Sequence, residues 1–403
     1  MNILFLTLSR IYDLNERGIY ADLMRKFVHD GHNVYIVIPF ERRIQRATSL
    51  FESAGAHILG VRTLNIQKTN VIEKGVGTLL LERQYMRAIQ RYLKDIRFDL
   101  VLYSTPPITF NRVIRFIKRK YGANSYLLLK DIFPQNAVDL GMLSPHSLIY
   151  RLFRRKERAL YALSDYIGCM SPANVKYVIE HNPEIDSRCI EVCPNCIELL
   201  SGREKFDPLA IRKRYEIAPD KILCIYGGNL GKPQGIDFLI ETIKSNERRK
   251  NCFFLIVGGG TEYNRLEQWF QIKKPANARL LNSLPKREYD LLMRSADIGL
   301  IYLDHRFTIP NYPSRLLSYL ENAIPIMMAV DKNTDIGRIA EQNNYGYWAE
   351  SDDIMAFDCK LDALLEDSSL RKSMGLRGYE YLKANYTVDH AMRIIMSHFI
   401  MEK

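Results

Sequence analysis

The chain has few cysteines and no long apolar run, and both absences narrow its class. It contains 403 residues with only seven cysteines, an odd number without the spacing of a disulfide framework. This excludes a disulfide-framed mini-protein and predicts reduced thiols in a cytoplasmic protein. No apolar run reaches the roughly 18 residues of a transmembrane helix, and the opening MNILFLTLSR lacks a basic segment and a small-residue cleavage site. We therefore expect a first strand rather than a signal peptide, in a protein that is soluble or lies on a membrane.

Positive charge is concentrated in the first half of the chain. The net charge is +11, of which residues 1–200 contribute +9 and the remainder +2. Residues 112–158 alone hold 11 basic and 3 acidic side chains. The asymmetry predicts a polyanionic partner, with nucleic acid and an anionic membrane surface as the alternatives.

Short apolar strands alternate with amphipathic helices twice along the chain, which predicts an α/β protein with two doubly wound, Rossmann-like domains. The expected strands are 3–8, 34–38, 57–61, 100–103, 125–129, 166–170 and 189–192, then 222–226, 253–257, 278–281, 298–302 and 326–330. Pro194-Asn195 and the polar run 201–205 suggest domains over 1–200 and 201–385, and a helix over 386–403 is a candidate for crossing back to the first domain. Two such domains would face each other across a cleft that binds ligands beyond the carboxyl ends of the strands.

Two glycine-rich segments follow strands of the second series. The first is YGGNLGKPQG, Tyr226–Gly235, and the second is Gly258–Gly260. Glycines let the backbone approach a ligand, the amides of a following helix bind phosphate, and Lys232 would add a charge on a diphosphate. Neither GxGxxG nor the P-loop pattern is present. Tight turns packed against neighbouring loops therefore explain these glycines as well as a ligand does.

The stretch IPNYPSRLLSY, which follows the fourth strand of the second series, predicts a helix with Pro313 in its first turn. Asn311 or Tyr312 would cap this helix, and Ser314 and Arg315 would lie in its first turn. An arginine in that position opposes the helix dipole unless an anion is bound, and its guanidinium group suits phosphate oxygens. The pattern favours a phosphate site over a solvated helix face.

Taken together, these motifs resemble the nucleotide-sugar domain of family 4 glycosyltransferases with the GT-B fold. The resemblance rests, in chain order, on GNLGKPQG, VGGG, ADIGLIYL and PSRLLSYLENAIP. The first half agrees through GHNV, SPAN and the PN turn, while YSTPP and KDIFP resemble the subgroup that builds capsule and O-antigen repeats, including N-acetylfucosamine transferases. The resemblance implies a retaining transferase that moves a sugar, an N-acetylhexosamine or its deoxy form, from a UDP-sugar to a polyprenyl-diphosphate-linked saccharide.

The resemblance also implies roles for individual residues, with the acceptor bound by the first domain and the donor by the second. Lys232, Arg315 and helix amides would stabilise the charge that grows on the departing diphosphate. Asp131 would accept the acceptor's hydroxyl proton or stabilise an oxocarbenium-like sugar, and its alternative role is to cap a loop. The implied donor-binding residues are Gly228, Asn229, Lys232, Gly258, Gly259, Leu284, Ser314, Arg315 and Ser318. The implied acceptor-side residues are Arg17, Gly18, Ser104 and Asp131.

The sequence departs from the family pattern at several positions. Two glutamates that many members carry eight residues apart fall on Pro310 and Ser318, so the ribose and donor-sugar contacts must differ. Asn229 and Gln234 stand where arginine and lysine are common, and the Lys130-Asp131 pair occupies the place of the family's catalytic histidine. Transferases of the other common fold bind a divalent metal through an Asp-x-Asp pair. No two aspartates here are separated by one residue, which favours catalysis without a metal or other cofactor.

Two predicted helices carry arginines on one face, at the spacing of successive helical turns. The first set is Arg112, Arg115 and Arg119, and the second is Arg151, Arg154, Arg155 and Arg158. Four arginines on one stripe repel each other unless an anionic surface relieves them. We therefore expect the second set to face the anionic inner leaflet of the plasma membrane, which would make the protein cytoplasmic and peripheral. A solvated helix face is the alternative.

Other functions stay open at this point. A non-hydrolysing UDP-sugar epimerase shares the two-domain plan and needs no acceptor, and a sugar-nucleotide sensor would need no catalysis. A nucleic-acid-binding protein would explain the charge, but the sequence has no helix-turn-helix, RNP or zinc-finger signature, and we expect no nucleic-acid partner. Cys193-Pro194-Asn195-Cys196 imitates a CxxC redox motif, yet it lies at the PN turn and lacks a second pair for a metal.

Overall fold

The computed structural model describes residues 1–66, 69, 71–200, 202 and 206–399. Contacts divide the chain into two compact units. The first unit comprises Met1–Glu198 and the C-terminal segment from Thr387, and the second comprises Leu199–Tyr386. Of the polar run 201–205, expected at the domain boundary, every residue except Gly202 lies outside the described residues.

The first unit is built on an eight-stranded sheet. In chain order its strands and α-helices are β1 Asn2–Leu6, α1 Ile19–His29, β2 Asn33–Glu41, β3 Ser49–Ser53, β4 Ala56–Thr63, α2 Val71–Tyr92, β5 Leu100–Ser104, α3 Asn111–Tyr121, β6 Asn124–Leu129, α4 Gln135–Asp139, α5 Leu148–Tyr161, β7 Tyr166–Cys169, α6 Pro172–His181 and β8 Ile190–Val192. The strand order is β3-β4-β2-β1-β5-β6-β7-β8. The β3–β4 pairing is antiparallel, and the other pairings described in this sheet are parallel.

The second unit repeats the plan with a six-stranded parallel sheet. Its elements are α7 Pro208–Arg214, β9 Ile222–Asn229, α8 Ile236–Ser245, β10 Cys252–Gly259, α9 Tyr263–Lys273, β11 Ala278–Leu281, α10 Lys286–Arg294, β12 Ile298–Tyr302, α11 Arg315–Glu321, β13 Ile326–Val330, α12 Ile336–Gln342, β14 Gly346–Glu350, α13 Ile354–Glu366 and α14 Ser368–Asn385. The strand order is β11-β10-β9-β12-β13-β14. The order reverses between β9 and β12, and ligands of such sheets bind beyond the strand ends at this point.

Helices cover both faces of the first sheet, which is why its central strands are apolar on both sides. One buried cluster joins the sheet to α2, α3 and α5 through residues such as Tyr85, Ile114 and Leu160. The other joins it to α1 and to the last helix, α15 Val388–Met396, through residues such as Phe27 and Met392. The outer faces of α2, α3 and α5 therefore lie on the same side of the first unit.

The predicted fold class is confirmed, since both units are Rossmann-like with parallel sheets. Two strands were not predicted, β3 and β14, and both are edge strands with many partly exposed residues. In the second unit, two strands are longer than predicted: β9 continues to Asn229 and β10 to Gly259. The glycines that the sequence placed in loops after these strands therefore lie within the paired strand ends.

Candidate active site

The two glycine segments of the second unit lie side by side at the carboxyl edge of its sheet. Gly258 pairs with Gly228, and Gly259 pairs with Asn229. A Cβ atom on Gly258 would overlap the carbonyl oxygen of Gly228, and one on Gly260 would overlap that of Leu230. A neighbouring backbone is therefore what requires glycine at positions 258 and 260. Gly228 has a φ of +131°, which also favours glycine.

Replacing Gly258 with alanine is expected to destabilise the second unit by about 3 kcal/mol, because backbone must move to admit the methyl group. At this size that loss corresponds to about 10 °C in melting temperature, which calorimetry would detect. Gly259→Ala is the matched control, since the nearest atom to its Cβ would be the Ser283 hydroxyl oxygen at 3.1 Å, and that side chain can rotate. Equal melting temperatures for the two variants would contradict this account of the paired segments.

The turn after β9 is held by its own side chains. The Gln234 amide oxygen accepts hydrogen bonds from Asn229 Nδ2 at 2.8 Å and from the Gly231 amide at 3.0 Å. Gln234 thus stabilises this turn, at a position where members of the family more often carry a basic side chain. The side chain of Lys232 is exposed and forms no hydrogen bond or ion pair with another described residue. Its ammonium group is therefore available to an anion at this edge of the sheet.

Helix α11 begins at Arg315, two residues after the predicted start at Pro313, and Ser314 occupies the cap position without a side-chain hydrogen bond. The prediction was wrong because the preceding segment is held elsewhere. The Asn311 amide donates to Thr334 Oγ1 at 2.9 Å, and the hydroxyl groups of Tyr312 and Tyr386 share a hydrogen bond of 2.5 Å. These contacts stop the segment from continuing the helix backwards, and they leave Arg315 as the first helical residue.

The guanidinium group of Arg315 lies beside the paired ends of β9 and β10 that carry Gly228 and Gly258, a surface called here the glycine edge. Its guanidinium carbon lies 4.2 Å from the centre of the Tyr226 ring. Its Nη2 lies 3.5 Å from the position that a Cβ on Gly228 would occupy. Within the described part of the chain, Arg315 Nη1 is buried and has no hydrogen-bond partner. A buried donor left unpaired costs about 1–3 kcal/mol, so this group is suited to an anionic ligand.

The remaining predicted donor-side residues surround this cation to different degrees. Gly259 approaches Ser283, which precedes the half-buried Leu284, so the end of β10 adjoins that turn. Ser318 is half-buried one helical turn after Arg315, and Ser314 is exposed. The structure thus brings together Gly228, Gly258, Gly259 and Arg315, and leaves Lys232 and Ser314 open to solvent.

Two tyrosines that the sequence analysis did not assign to the site flank Arg315. Tyr226 is fully buried within β9, three residues before the strand ends, and its hydroxyl donates to the Asn229 carbonyl at 2.7 Å. A Cβ on Gly227 would overlap the Tyr289 hydroxyl, so that side chain lies against the same strand end. Burial raises the pKa of Tyr289 to about 12, with the charge of Arg315 opposing that shift. No sequence signal separates such tyrosines from core residues.

In the first unit, polar groups collect at the carboxyl ends of the neighbouring strands β1, β5 and β6. Ser104 ends β5, and its Oγ lies 3.2 Å from Thr7 Oγ1, which follows β1. The amides of Lys130 and Asp131, after β6, donate to Thr105 Oγ1 at 3.0 and 3.3 Å. Asp131 is exposed to solvent, and desolvation of its carboxylate by the surrounding protein raises its pKa to about 6. Ser104 and Asp131 thus lie at one edge, where Asp131 can exchange a proton near neutral pH.

The other acceptor-side predictions, Arg17 and Gly18, lie at the start of α1. They line a recess of about 170 Å³ together with Ser9, Asp13 and Tyr20. The Gly18 amide donates to Asp22 Oδ1 at 2.9 Å, and Arg17 Nη2 donates to the Glu198 carbonyl at 2.7 Å. Arg17 therefore holds Glu198, the last residue of the Met1–Glu198 segment of the first unit.

The arginine stripe of α5 divides into two kinds of residue. Arg154 is engaged within the protein, bonding Glu157 at 2.7 Å and Asn182 at 2.8 Å, and Arg158 bonds Glu184 at 2.5 Å. The expectation that all four arginines repel each other without an anionic surface is therefore wrong. Arg151 and Arg155 are exposed and form no ion pair with another described residue. Exposed apolar side chains accompany them on the same helix: Leu148 (79%), Ile149 (56%) and Leu152 (49%).

The CxxC look-alike does not form a disulfide. Cys193 and Cys196 are buried thiols, and burial raises the pKa of both. Across the described residues, no group of three His, Cys, Asp or Glu side chains is arranged to hold a metal ion. The helices formed by those residues include none that is both long and apolar enough to cross a bilayer.

Comparison with known proteins shows which protein family the second unit matches. Residues 208–381 match the model of a family described as glycosyl transferases group 1. The second unit is a group 1 glycosyltransferase domain. The match includes both glycine segments and Arg315. Together with the two relatives described next, it identifies the chain as a glycosyltransferase.

Two relatives agree with this glycosyltransferase assignment. The chain is 23% identical over 305 residues to a probable glycosyltransferase WbjE of Pseudomonas aeruginosa, which covers 74% of each chain. It is 22% identical over 250 residues to a putative colanic acid biosynthesis glycosyl transferase WcaI of Escherichia coli (strain K12), which covers 60% of each.

Solved structures show that this glycosyltransferase shares the GT-B fold. Sucrose-phosphate synthase from Thermosynechococcus elongatus superposes with a TM-score of 0.75 at 12% identity, over 99% of this chain and 98% of that one. Anabaena Alr3699/HepE in complex with UDP gives 0.68 at 13% identity, over 99% of both chains. WaaG, a glycosyltransferase involved in lipopolysaccharide biosynthesis, gives 0.66 at 14% identity, over 98% and 99%. At these identities the likeness concerns the fold.

Proposed function

We propose that this glycosyltransferase moves a sugar from a UDP-sugar to a lipid-linked saccharide during the synthesis of a surface polysaccharide, with retention of anomeric configuration. The observation that carries the proposal is the buried Nη1 of Arg315, a donor beside Gly228 that has no hydrogen-bond partner among the described residues. A diphosphate satisfies both the charge and the missing hydrogen bond. Alr3699/HepE has been solved with UDP and with UDP-glucose, which supports UDP as the nucleotide.

The finer identity of the substrates rests on relatives and motifs. WcaI is named for colanic acid biosynthesis and WaaG for lipopolysaccharide biosynthesis, which supports a surface polysaccharide as the product. The YSTPP and KDIFP motifs support an N-acetylhexosamine or its deoxy form as the transferred sugar. Reaction without a metal ion is part of the proposal, since Arg315 and Lys232 would supply the positive charge.

The second unit would lower the barrier by stabilising the leaving group. As the bond between the sugar and UDP breaks, negative charge grows on the diphosphate oxygens. Arg315 is already fixed on Tyr226 before the reaction, so little rearrangement is needed to meet that charge. Lys232, on its exposed turn four residues after Gly228, would add a second positive charge.

The first unit would activate the acceptor through Asp131. A carboxylate with a pKa of about 6 is ionised at neutral pH, yet basic enough to take a proton from an attacking hydroxyl group. Ser104, Arg17 and Gly18 at the same strand edge and in the adjoining recess would hold the acceptor.

The proposed function is tested by measuring UDP release from UDP-N-acetylglucosamine and related UDP-N-acetylhexosamines, with and without polyprenyl-diphosphate-linked saccharides. Release that depends on the acceptor, together with a glycosylated lipid product detected by mass spectrometry, is the expected result. Interconversion of UDP-sugars without any acceptor would instead identify a UDP-sugar epimerase. UDP-sugar binding without either reaction would identify a sensor.

We also propose that the first unit docks on the anionic cytoplasmic face of the membrane through α5. Leu148, Ile149 and Leu152 are exposed beside Arg151 and Arg155, an arrangement suited to the boundary between lipid headgroups and acyl chains. Each arginine near such a surface contributes about 1 kcal/mol. Docking there would bring the enzyme to a lipid-linked acceptor.

Reversing Arg151 and Arg155 to glutamate is expected to weaken binding to phosphatidylglycerol-containing liposomes by at least about 30-fold, measured by co-sedimentation. Arg154 is left unchanged because its contacts to Glu157 and Asn182 are structural. Arg62→Glu with Arg188→Glu is the control, because it changes net charge equally from two exposed positions outside α5. Unaltered liposome binding in the first variant, or equal loss in both, would remove α5 as the docking surface.

A further inference from the structure

We infer that Tyr226 is a positioning residue for the donor diphosphate, one that fixes Arg315 and the end of β9 relative to each other. The inference rests on the proposed function, because it concerns how the same site holds its ligand. Tyr226 is the residue that contacts both parts of the site, through its ring on one side and its hydroxyl group on the other. Two independent contacts therefore meet in one side chain.

The face of the Tyr226 ring carries the guanidinium group. At 4.2 Å from the ring centre, the Arg315 cation meets the negative face of the aromatic quadrupole. The absence of a side chain at Gly228 leaves room for Arg315 Nη2 and the guanidinium carbon, at 3.5 and 3.6 Å from the position of the missing Cβ. The long arginine side chain is thus held before any ligand binds, with Nη1 unpaired among the residues that the structure describes.

The hydroxyl group of Tyr226 holds the backbone of the same strand end. It donates to the Asn229 carbonyl at 2.7 Å, where β9 passes into the turn that carries Lys232. Asn229 in turn pairs with Gly259 of β10. This hydrogen bond therefore fixes the position of the glycine edge relative to the Tyr226 ring, against which Arg315 packs.

This arrangement makes a prediction that a purely structural tyrosine would not share. Ordering a flexible side chain on binding costs about 0.5–1.5 kcal/mol, so fixing Arg315 in advance should improve affinity for a diphosphate by a few-fold. The nucleoside part of the ligand does not draw on that contact. Loss of the negative charge on the ring face should therefore weaken the binding of UDP and leave the binding of uridine unchanged.

The experiment varies the electronic character of the ring at constant shape. Tyr226→Phe is compared with variants that carry tri- and pentafluorinated phenylalanine at position 226, and the same series at Tyr161, which is buried in the first unit, is the control. UDP affinity is measured by titration calorimetry and uridine affinity by ligand-observed NMR. Thermal melting confirms that each variant is folded, and Tyr226→Phe alone tests the hydroxyl contact if a fluorinated chain does not fold.

We expect UDP to bind about 2-fold more weakly to Tyr226→Phe, and about 5-fold more weakly again to the pentafluorinated variant, with uridine unchanged. Equal UDP affinity across the whole series, or parallel losses for UDP and uridine, would overturn the positioning role while leaving the proposed function intact. Failure of the unmodified protein to bind UDP would overturn the proposed function itself.

Discussion

Replacing Arg315 with alanine is expected to lower kcat/KM for the UDP-sugar by about 10²–10³-fold, the loss typical of removing one fixed donor from a developing anion. The reason is that Arg315 combines positive charge, a fixed position on Tyr226 and a buried N–H without a partner among the described residues. Charge that grows on the diphosphate would meet no equivalent group in the variant. Steady-state kinetics with the acceptor held at saturation measure the effect.

Two further variants separate this role from general charge. Arg315→Lys keeps the cation but loses the planar fork, and we expect it to recover only part of the activity. Arg338→Ala removes an exposed arginine from α12 of the same unit and should leave the kinetics unchanged. A kcat/KM for Arg315→Ala within 3-fold of the unmodified enzyme, roughly 0.6 kcal/mol, would show that Arg315 does not stabilise the leaving group.

Replacing Asp131 with asparagine is expected to lower kcat by about 10²–10⁴-fold, the range typical of losing a general acid or base. The carboxylate must be ionised to accept a proton from the attacking hydroxyl group. Because burial raises the pKa of Asp131 to about 6, the ionised fraction falls as the pH drops through 6. Activity of the unmodified enzyme should therefore fall about tenfold per pH unit well below pH 6, and rise to a plateau above it.

A matched control for this pH dependence lies in the second unit. Burial also raises the pKa of Asp331 to about 6, although its carboxylate accepts hydrogen bonds from Asn333 and Thr334. The acid limb should persist in Asp331→Asn and disappear from whatever activity is left in Asp131→Asn. An unchanged acid limb in Asp131→Asn would assign it to another group and contradict the proposed role.

Much of the fold was predictable from the sequence because buried parallel strands are written as continuous apolar runs. The twelve strands predicted in this way are present in the two sheets. The missed strands β3 and β14 lie at sheet edges and mix polar with apolar residues, as in SLFES and GYWAE. Edge strands lack one neighbour and one covered face, so their sequences lose the apolar run on which the prediction depends.

The site was predictable only where local sequence carries its chemistry. The position of Arg315 at the start of α11 follows from the Pro-Ser-Arg pattern, even though the contacts of Asn311 and Tyr312 delay the helix by two residues. The support from Tyr226 depends on a contact between residues 89 positions apart, which no local pattern reveals. The engagement of Arg154 with Asn182 is hidden for the same reason.

The central claim, a UDP site built around Arg315, is tested most directly by a thermal-shift titration of the protein with UDP, GDP, ADP and TDP. A ligand at 100 times its Kd stabilises the folded state by about 2.7 kcal/mol, which such a titration resolves readily. We predict that UDP raises the melting temperature of the unmodified protein more than the other nucleotides do, and that Arg315→Ala abolishes the shift. No shift with UDP, or an equal shift in Arg315→Ala, would contradict the account.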